Sequence, residues 1–123
     1  MIIVLDTETT GLLEPEAADI KLQPRIIEFA AIKLDHELVE LDRIEFKCNP
    51  EMPLPAIITK ITGLKDEDVL GAPKLIEKIS ELQEFFVGSR VLVAHNAGFD
   101  VGVIWYELLR LGLHRKFPWP PRH

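Results

Sequence analysis

The amino-acid sequence predicts a single domain of α+β or mixed α/β layout, with three antiparallel strands early in the chain. Three observations predict it. A continuous apolar run fills residues 2–5, as expected of a strand buried on both faces. Two longer strand-like segments, RIIEFAAIKL (25–34) and LVELDRIEFKC (38–48), are separated only by Asp35-His36-Glu37, a turn-forming triplet. Beyond Pro73 the apolar positions recur at three and four residues, the spacing of one helix face.

Each element can be justified in order. Residues 11–24 mix Glu, Asp, Pro and Ala without a period and read as a loop. The segment 25–34 is apolar enough for a central strand. In the third strand neither face is uniformly apolar, so it belongs at a sheet edge. Residues 49–55 hold three prolines and must be irregular. Residues 56–62 predict a helical turn or two, closed by Gly63, and Lys65-Asp66-Glu67-Asp68 predicts a polar turn. Leu75, Ile76, Ile79, Leu82, Phe85 and Phe86 then mark an amphipathic helix that ends near Gly88. Residues 90–94 read as a fourth strand and 98–111 as a second helix carrying Phe99, Val103, Trp105, Leu108 and Leu109. The terminal RKFPWPPRH has three prolines and continues no helix. The order is β-β-β-α-β-α.

With 123 residues the chain can bury a single core. Hydrophobic residues at 47% and charged residues at 28% exclude a disordered chain. No apolar run reaches the roughly 18 residues of a membrane span, so no membrane partner is expected. MIIVL lacks a basic flank, which speaks against a signal peptide. The lone Cys48 excludes an intrachain disulfide, and the cytoplasm is the expected compartment. A net charge of −6 excludes a protein that grips nucleic acid by bulk positive charge, but not one that reaches phosphate through bound metal.

Chemistry concentrates in two stretches. In MIIVLDTETTGL the apolar run meets Asp6 and Glu8, two apart and therefore on one face of an extended chain. Two carboxylates so placed repel unless a proton or cation lies between them. Their oxygens suit Mg²⁺ or Mn²⁺. In VLVAHNAGFD, Asp100 follows a second strand, just after His95-Asn96. If the two strands are neighbours, the three acids meet at the end of a sheet. Two metals about 4 Å apart, held this way, would serve phosphodiester cleavage. Taken alone, DTETT and His95-Asn96 are equally what turns and helix caps are made of, and Phe99 is equally a core residue.

Together the two stretches resemble the DEDD-type (DEDDh-like) 3′→5′ exonucleases, the proofreading group that includes the epsilon subunit of bacterial DNA polymerase III. The likeness is carried by Asp6-Thr7-Glu8-Thr9-Thr10-Gly11-Leu12 and His95-Asn96-Ala97-Gly98-Phe99-Asp100. Residues 25–31 resemble that family's second strand, and Ile61-Thr62-Gly63-Leu64 with Asp66-Glu67 its segment near the substrate's 3′ end. The resemblance implies an α/β, ribonuclease-H-like fold with a mixed sheet. It implies that Asp6, Glu8 and Asp100 bind two divalent ions, Mg²⁺ or Mn²⁺. It further implies that Thr9, Leu12, Ile61, Thr62, Asn96 and Phe99 line the 3′-terminal nucleotide of single-stranded DNA or RNA. A polymerase subunit is the implied protein partner.

One feature of the family is missing. Its third motif, a histidine general base followed by a fourth metal-binding aspartate, has no counterpart after Asp100, where no Asp occurs and only His114 and His123 remain. His114, beside Arg115 and Lys116, reads as a surface residue. The expected division is therefore a partial exonuclease-like domain at residues 1–112 and a Pro-rich basic tail at 113–123. The fold is expected to be incomplete at its C-terminal side. The apolar surface left bare would then be covered by another chain, a second copy included, or by the rest of a longer protein. Two function classes follow. One is a metal-dependent 3′→5′ exonuclease domain; the other is a non-catalytic exonuclease-like module that binds nucleic acid or a polymerase partner.

Overall fold

The computed structural model describes Met1–Arg122; His123 lies outside the described residues. Its frame is a four-stranded sheet in the order β3-β2-β1-β4. β1 (Ile2–Thr9) pairs antiparallel with β2 (Ile26–Leu34), which pairs antiparallel with β3 (Glu40–Lys47). β4 (Val91–Val93) lies parallel to β1 on its other side, which makes the sheet mixed. The edge position of β3 agrees with its two-sided polar pattern.

β1 runs further than expected. The sequence predicted a strand at residues 2–5, yet Asp6, Thr7 and Glu8 remain in register opposite Ala30, Phe29 and Glu28. The ladder with β2 supplies backbone partners past the point where the apolar run stops. The two acids therefore stand on a rigid strand and not in a turn. The hairpin to β3 is tied by Asp35, whose carboxylate accepts the N–H groups of Glu37 and Val39. Leu38 takes a positive φ of 65° there, and β3 starts at Glu40 instead of residue 38.

Helix α1 (Ala56–Thr62) is closed by Gly63 at φ 79°, the left-handed conformation that favours glycine at a helix end. The polar turn expected at 65–68 is instead the start of a short helix, α2 (Asp66–Leu70). The reason is local: its acids occupy the first turn, where the free N–H groups and the helix dipole favour them. Asp68 accepts the Lys65 N–H at 2.7 Å, and Asp66 accepts the Leu54 N–H at 2.7 Å. The amphipathic segment begins as a 3-10 turn at Leu75–Lys78 before becoming α3 (Ile79–Phe86). The last helix, α4, spans Ala97–Arg110.

Both α3 and α4 cover one face of the sheet. The core joins Ile3, Leu5, Phe29 and Phe46 from the strands to Leu82, Phe85 and Phe86 from α3 and to Val103, Ile104 and Leu108 from α4. Burying a side chain of this size contributes about 1.5–3 kcal/mol. A smaller cluster of Ile27, Leu54 and Val69 seats α1 and α2. No helix of the described residues covers the opposite sheet face, where Val4, Ala30 and Ile32 floor a groove of about 210 Å³ with Asp6 and Arg43 on its walls.

One polar network ties α4 to the start of β2. Glu107, 5% exposed, pairs with Arg110 and accepts the Ile26 N–H at 3.2 Å. The Arg110 guanidinium donates to the carbonyls of Ile20 at 3.0 Å and Gln23 at 2.7 Å. No local pattern announces this network, because its partners lie far apart in the chain.

Residues 113–122, read from the sequence as a tail, pack back onto the domain. Phe117 is buried against Phe86 and Trp119. Arg122 reaches the free side of β4, donating to Arg90 O at 3.2 Å and accepting the Leu92 N–H at 2.7 Å. His114 is not the surface residue expected. It is half-buried, with its ring set edge-on to Trp105 at 4.9 Å, because the turn after α4 folds it back over the helix.

Candidate active site

Alternation along β1 sorts its residues by face. Asp6 is exposed and Glu8 half-buried on the open side, while Thr7 between them is buried on the helix side. Asp100 sits in the first turn of α4 and is 4% exposed. It reaches β1 from the helix side, where the Thr7 hydroxyl donates to its Oδ1 at 2.7 Å. The strand order places β4, and hence the start of α4, directly beside β1. The three acids thus arrive at one end of the sheet, but from two sides of one strand.

Their charges interact nonetheless. Burial pushes the Glu8 carboxyl above the ordinary carboxylate range, and the charges of Asp6, Glu28 and Asp100 push it further. Burial also raises the Asp100 carboxyl; the Thr7 hydrogen bond opposes this and Asp6 adds to it. A site in which Glu8 and Asp100 both resist ionisation is one that favours a bound cation. Carboxylate oxygens are the donors that Mg²⁺ or Mn²⁺ takes. The donors fit such an ion in kind and in charge. Among the described residues, no three carboxylate, imidazole or thiol groups are already gathered as a metal-holding group. The straddling of β1 accounts for that.

The residues expected to line a nucleotide are spread over three places. Thr9 is buried, and its hydroxyl donates to Gly11 O at 2.7 Å, which shapes the turn after β1. Leu12, just beyond, is 80% exposed. Asn96 is exposed and precedes α4, where its carbonyl, not its side chain, accepts the Phe99 and Asp100 N–H groups. Phe99 is half-buried against the main core. Ile61 and Thr62 stand on α1, which packs on the smaller cluster; Ile61 is 71% exposed and the Thr62 hydroxyl donates back to Ile58 O at 2.8 Å. Among the described residues, the one hydrogen bond that joins two of these six is the backbone bond from Phe99 N–H to Asn96 O.

Sequence reasoning missed two participants. Thr7 holds Asp100, and the two-residue period of β1 was the signal, since it turns Thr7 toward the helices. Glu28 adds negative charge beside Glu8. It stands opposite Glu8 in the β1–β2 register, which the long loop between the two strands left without a local signal in the sequence.

The comparisons with known proteins agree with this geometry. The model of the RNase T exonuclease family matches residues 3–120. The chain is 39% identical over 111 residues to the PolC-type DNA polymerase III of Caldanaerobacter subterraneus subsp. tengcongensis, covering 90% of this chain and 7% of that protein. It is 38% identical over 117 residues to the PolC-type DNA polymerase III of Clostridium perfringens, covering 94% and 7%. The chain thus spans about 7% of the length of these relatives. Among solved structures, exonuclease X in complex with 5′ overhanging duplex DNA superposes with a TM-score of 0.61 at 25% identity, over 84% of this chain and 53% of that one. E. coli exonuclease I in complex with a dT13 oligonucleotide shares the fold, with a TM-score of 0.73 at 21% identity over 89% and 23%. With its mixed sheet, its acids at the strand end and a family match along nearly its whole length, the chain belongs to the RNase T exonuclease family.

Proposed function

We propose that this chain is the 3′→5′ exonuclease module of a DNA-replication enzyme, removing 3′-terminal nucleotides by hydrolysis that depends on two divalent ions. The observation that carries the reading is the set Asp6, Glu8 and Asp100 at the end of β1, where burial and the neighbouring charges raise the Glu8 and Asp100 carboxyls. Asp6, Glu8 and Asp100 would hold the ions, which supply an activated water and a counter-charge for the leaving oxygen. The chain's own part is positional. Thr7 fixes Asp100, the β1–β2 ladder fixes Asp6 and Glu8, and the exposed Leu12 and half-exposed Phe99 offer apolar surface to any base, without regard to sequence. Similarity to PolC-type polymerases supports a polymerase as the working partner and DNA as the substrate.

The absence of a three-ligand group among the described residues favours a second reading. In it the chain alone is a non-catalytic, exonuclease-like module that binds nucleic acid or a polymerase. His114, the one described histidine after Asp100, faces Trp105 and not the acids, which supports this reading further. The test is incubation of the 123-residue chain with 5′-labelled single-stranded DNA and RNA in Mg²⁺ or Mn²⁺, beside an Asp6→Ala control. Shortening from the 3′ end that vanishes in the control supports the enzyme. No shortening, in a chain that is folded and binds the oligonucleotide, supports the non-catalytic module.

A further inference from the structure

The loop at residues 11–24 leaves the sheet just beyond the acids of β1 and returns to it at β2. Connections this long are uncommon in a compact domain and usually carry function. This one buries little apolar surface of its own, since Leu12 and Leu22 are both exposed. Polar bonds hold it instead. Thr10 and Arg25 close its ends: the Thr10 N–H donates to Arg25 O, and the Thr10 hydroxyl accepts the Arg25 N–H, both at 2.9 Å. Across its middle lies Gln23, which is 3% exposed. Its Oε1 accepts the Glu14 N–H at 2.9 Å, and its Nε2 donates to Glu14 O at 3.0 Å and to Pro15 O at 3.3 Å. One side chain thus supplies the cross-links that a strand ladder would give.

The loop is also fastened to α4. At Gly102 a Cβ would meet Leu13 Cδ1 at 2.8 Å, so the missing side chain makes a socket for Leu13. Gly102 stands two residues beyond Asp100 on the same helix. On the returning limb, the Arg110 guanidinium holds the carbonyls of Ile20 and Gln23. Leu12 therefore emerges between the strand that carries Glu8 and the helix that carries Asp100. Around it Thr10 is buried and Gly11 and Leu13 are half-buried, so that Leu12 alone stands out.

We infer that Gln23 is a positioning residue: by tying the two limbs of the loop together it fixes Leu12 beside the acids, so that the terminal base meets an apolar surface already in place. Gln23 itself is buried and touches no substrate. A leucine exposed on a loose loop would have to be ordered when the base arrives, and that lost freedom would be subtracted from affinity. A loop ordered in advance avoids the loss. The core does not account for the buried amide. Gln23 belongs to neither apolar cluster, and among the described residues its side chain bonds only to the backbone of Glu14 and Pro15. The inference rests on the exonuclease reading for the contact between Leu12 and a base.

The experiment is a double-mutant cycle on the full chain. Binding of a 5′-labelled oligothymidylate of about eight residues is followed by anisotropy, with Ca²⁺ in place of Mg²⁺. Gln23→Met keeps the side-chain length, removes the amide, and should weaken binding about fivefold. Leu12→Ala should weaken it about tenfold. In the Leu12→Ala background, Gln23→Met should then cost less than about twofold, because its effect passes through Leu12. Trypsin should also cut after the exposed Lys21 faster in Gln23→Met than in the wild type. Pro15→Gly loosens the same loop from an exposed position and should weaken binding about twofold; if Gln23→Met does not fold, Pro15→Gly takes its place in the cycle. An equal loss from Gln23→Met in both backgrounds overturns the inference, since the amide would then support the fold at large. So does unchanged affinity in Leu12→Ala, or in a Gln23→Met chain whose loop trypsin opens faster. A wild-type chain that binds no oligonucleotide overturns it together with the exonuclease reading. The expected cycle, with no 3′ shortening once Mg²⁺ replaces Ca²⁺, supports the positioning role and rejects the exonuclease reading instead.

Discussion

Replacing Arg110 by methionine tests whether α4, and with it Asp100, is held by the Glu107–Arg110 network. Methionine keeps most of the side-chain length but removes the charge. Glu107, only 5% exposed, would be left as a buried carboxylate whose one remaining partner is the Ile26 N–H. The Gln23 carbonyl would lose its guanidinium donor, and the Ile20 carbonyl would keep only the Gln23 N–H. Breaking one side of a buried pair costs about 3–5 kcal/mol, a large share of the 5–15 kcal/mol that holds a typical domain together. At about 4 °C per kcal/mol for a chain of this size, Tm should fall by about 12–20 °C. Urea denaturation followed by circular dichroism measures the loss, read from the midpoint at constant slope. The double variant Glu107→Leu/Arg110→Met removes both charges, and should recover at least half of the loss, because no charge is then buried alone. A single variant that loses less than about 1 kcal/mol, or a double variant no more stable than the single, would refute the reasoning.

Three further outcomes are expected. Thr7→Val removes the hydroxyl that holds Asp100 Oδ1 and should cost about 1.5–3 kcal/mol at pH 7; an unchanged urea midpoint would show that the bond carries no stability. In chelator, stability should fall as pH rises from the ordinary carboxylate range through the raised values of Glu8 and Asp100. The folded state holds those protons more tightly than the unfolded chain, so folding takes up protons and a rise in pH opposes it. Glu8→Gln/Asp100→Asn should flatten that slope, and superposable profiles would contradict the assignment. Burial pushes the Cys48 thiol up to about 12, so at pH 8 a disulfide reagent should label the native chain far more slowly than the chain in urea; equal rates would contradict the buried setting.

Much of this fold could be read from residues with local signatures. Gly63 announced the end of α1, the triplet 35–37 announced the β2–β3 turn, and the spacing from Leu75 to Phe86 announced the helix that covers the sheet. DTETT and HNAGFD likewise located the strand and helix ends that carry the acids. What stayed hidden depends on partners distant in sequence. The apolar run of β1 stops at Leu5, but the strand continues because β2 lies alongside it. Asp66, Glu67 and Asp68 look like a turn until Asp68 is seen to accept the Lys65 N–H at the helix start and Asp66 the N–H of the distant Leu54. Glu107 and Arg110 look like an ordinary exposed pair on a helix, since neither Ile20 nor Ile26 is nearby in the chain. The same holds for the acids themselves: their types and spacing were legible, but their approach to β1 from opposite sides was not.

The placement of β1 also sets an order of assembly. Its pairing with β2, and that of β2 with β3, joins segments consecutive in the chain, with Ile3 opposite Lys33. Its other neighbour is parallel and distant, with Ile3 opposite Leu92. Closing the longer loop costs more entropy and slows the step. Asp6 and Glu8 therefore share a strand that can form early, whereas Asp100 joins them only when β4 and α4 dock. The mutual repulsion of the three carboxylates is met at that last step, so a divalent ion that relieves it would act chiefly by slowing the undocking of α4.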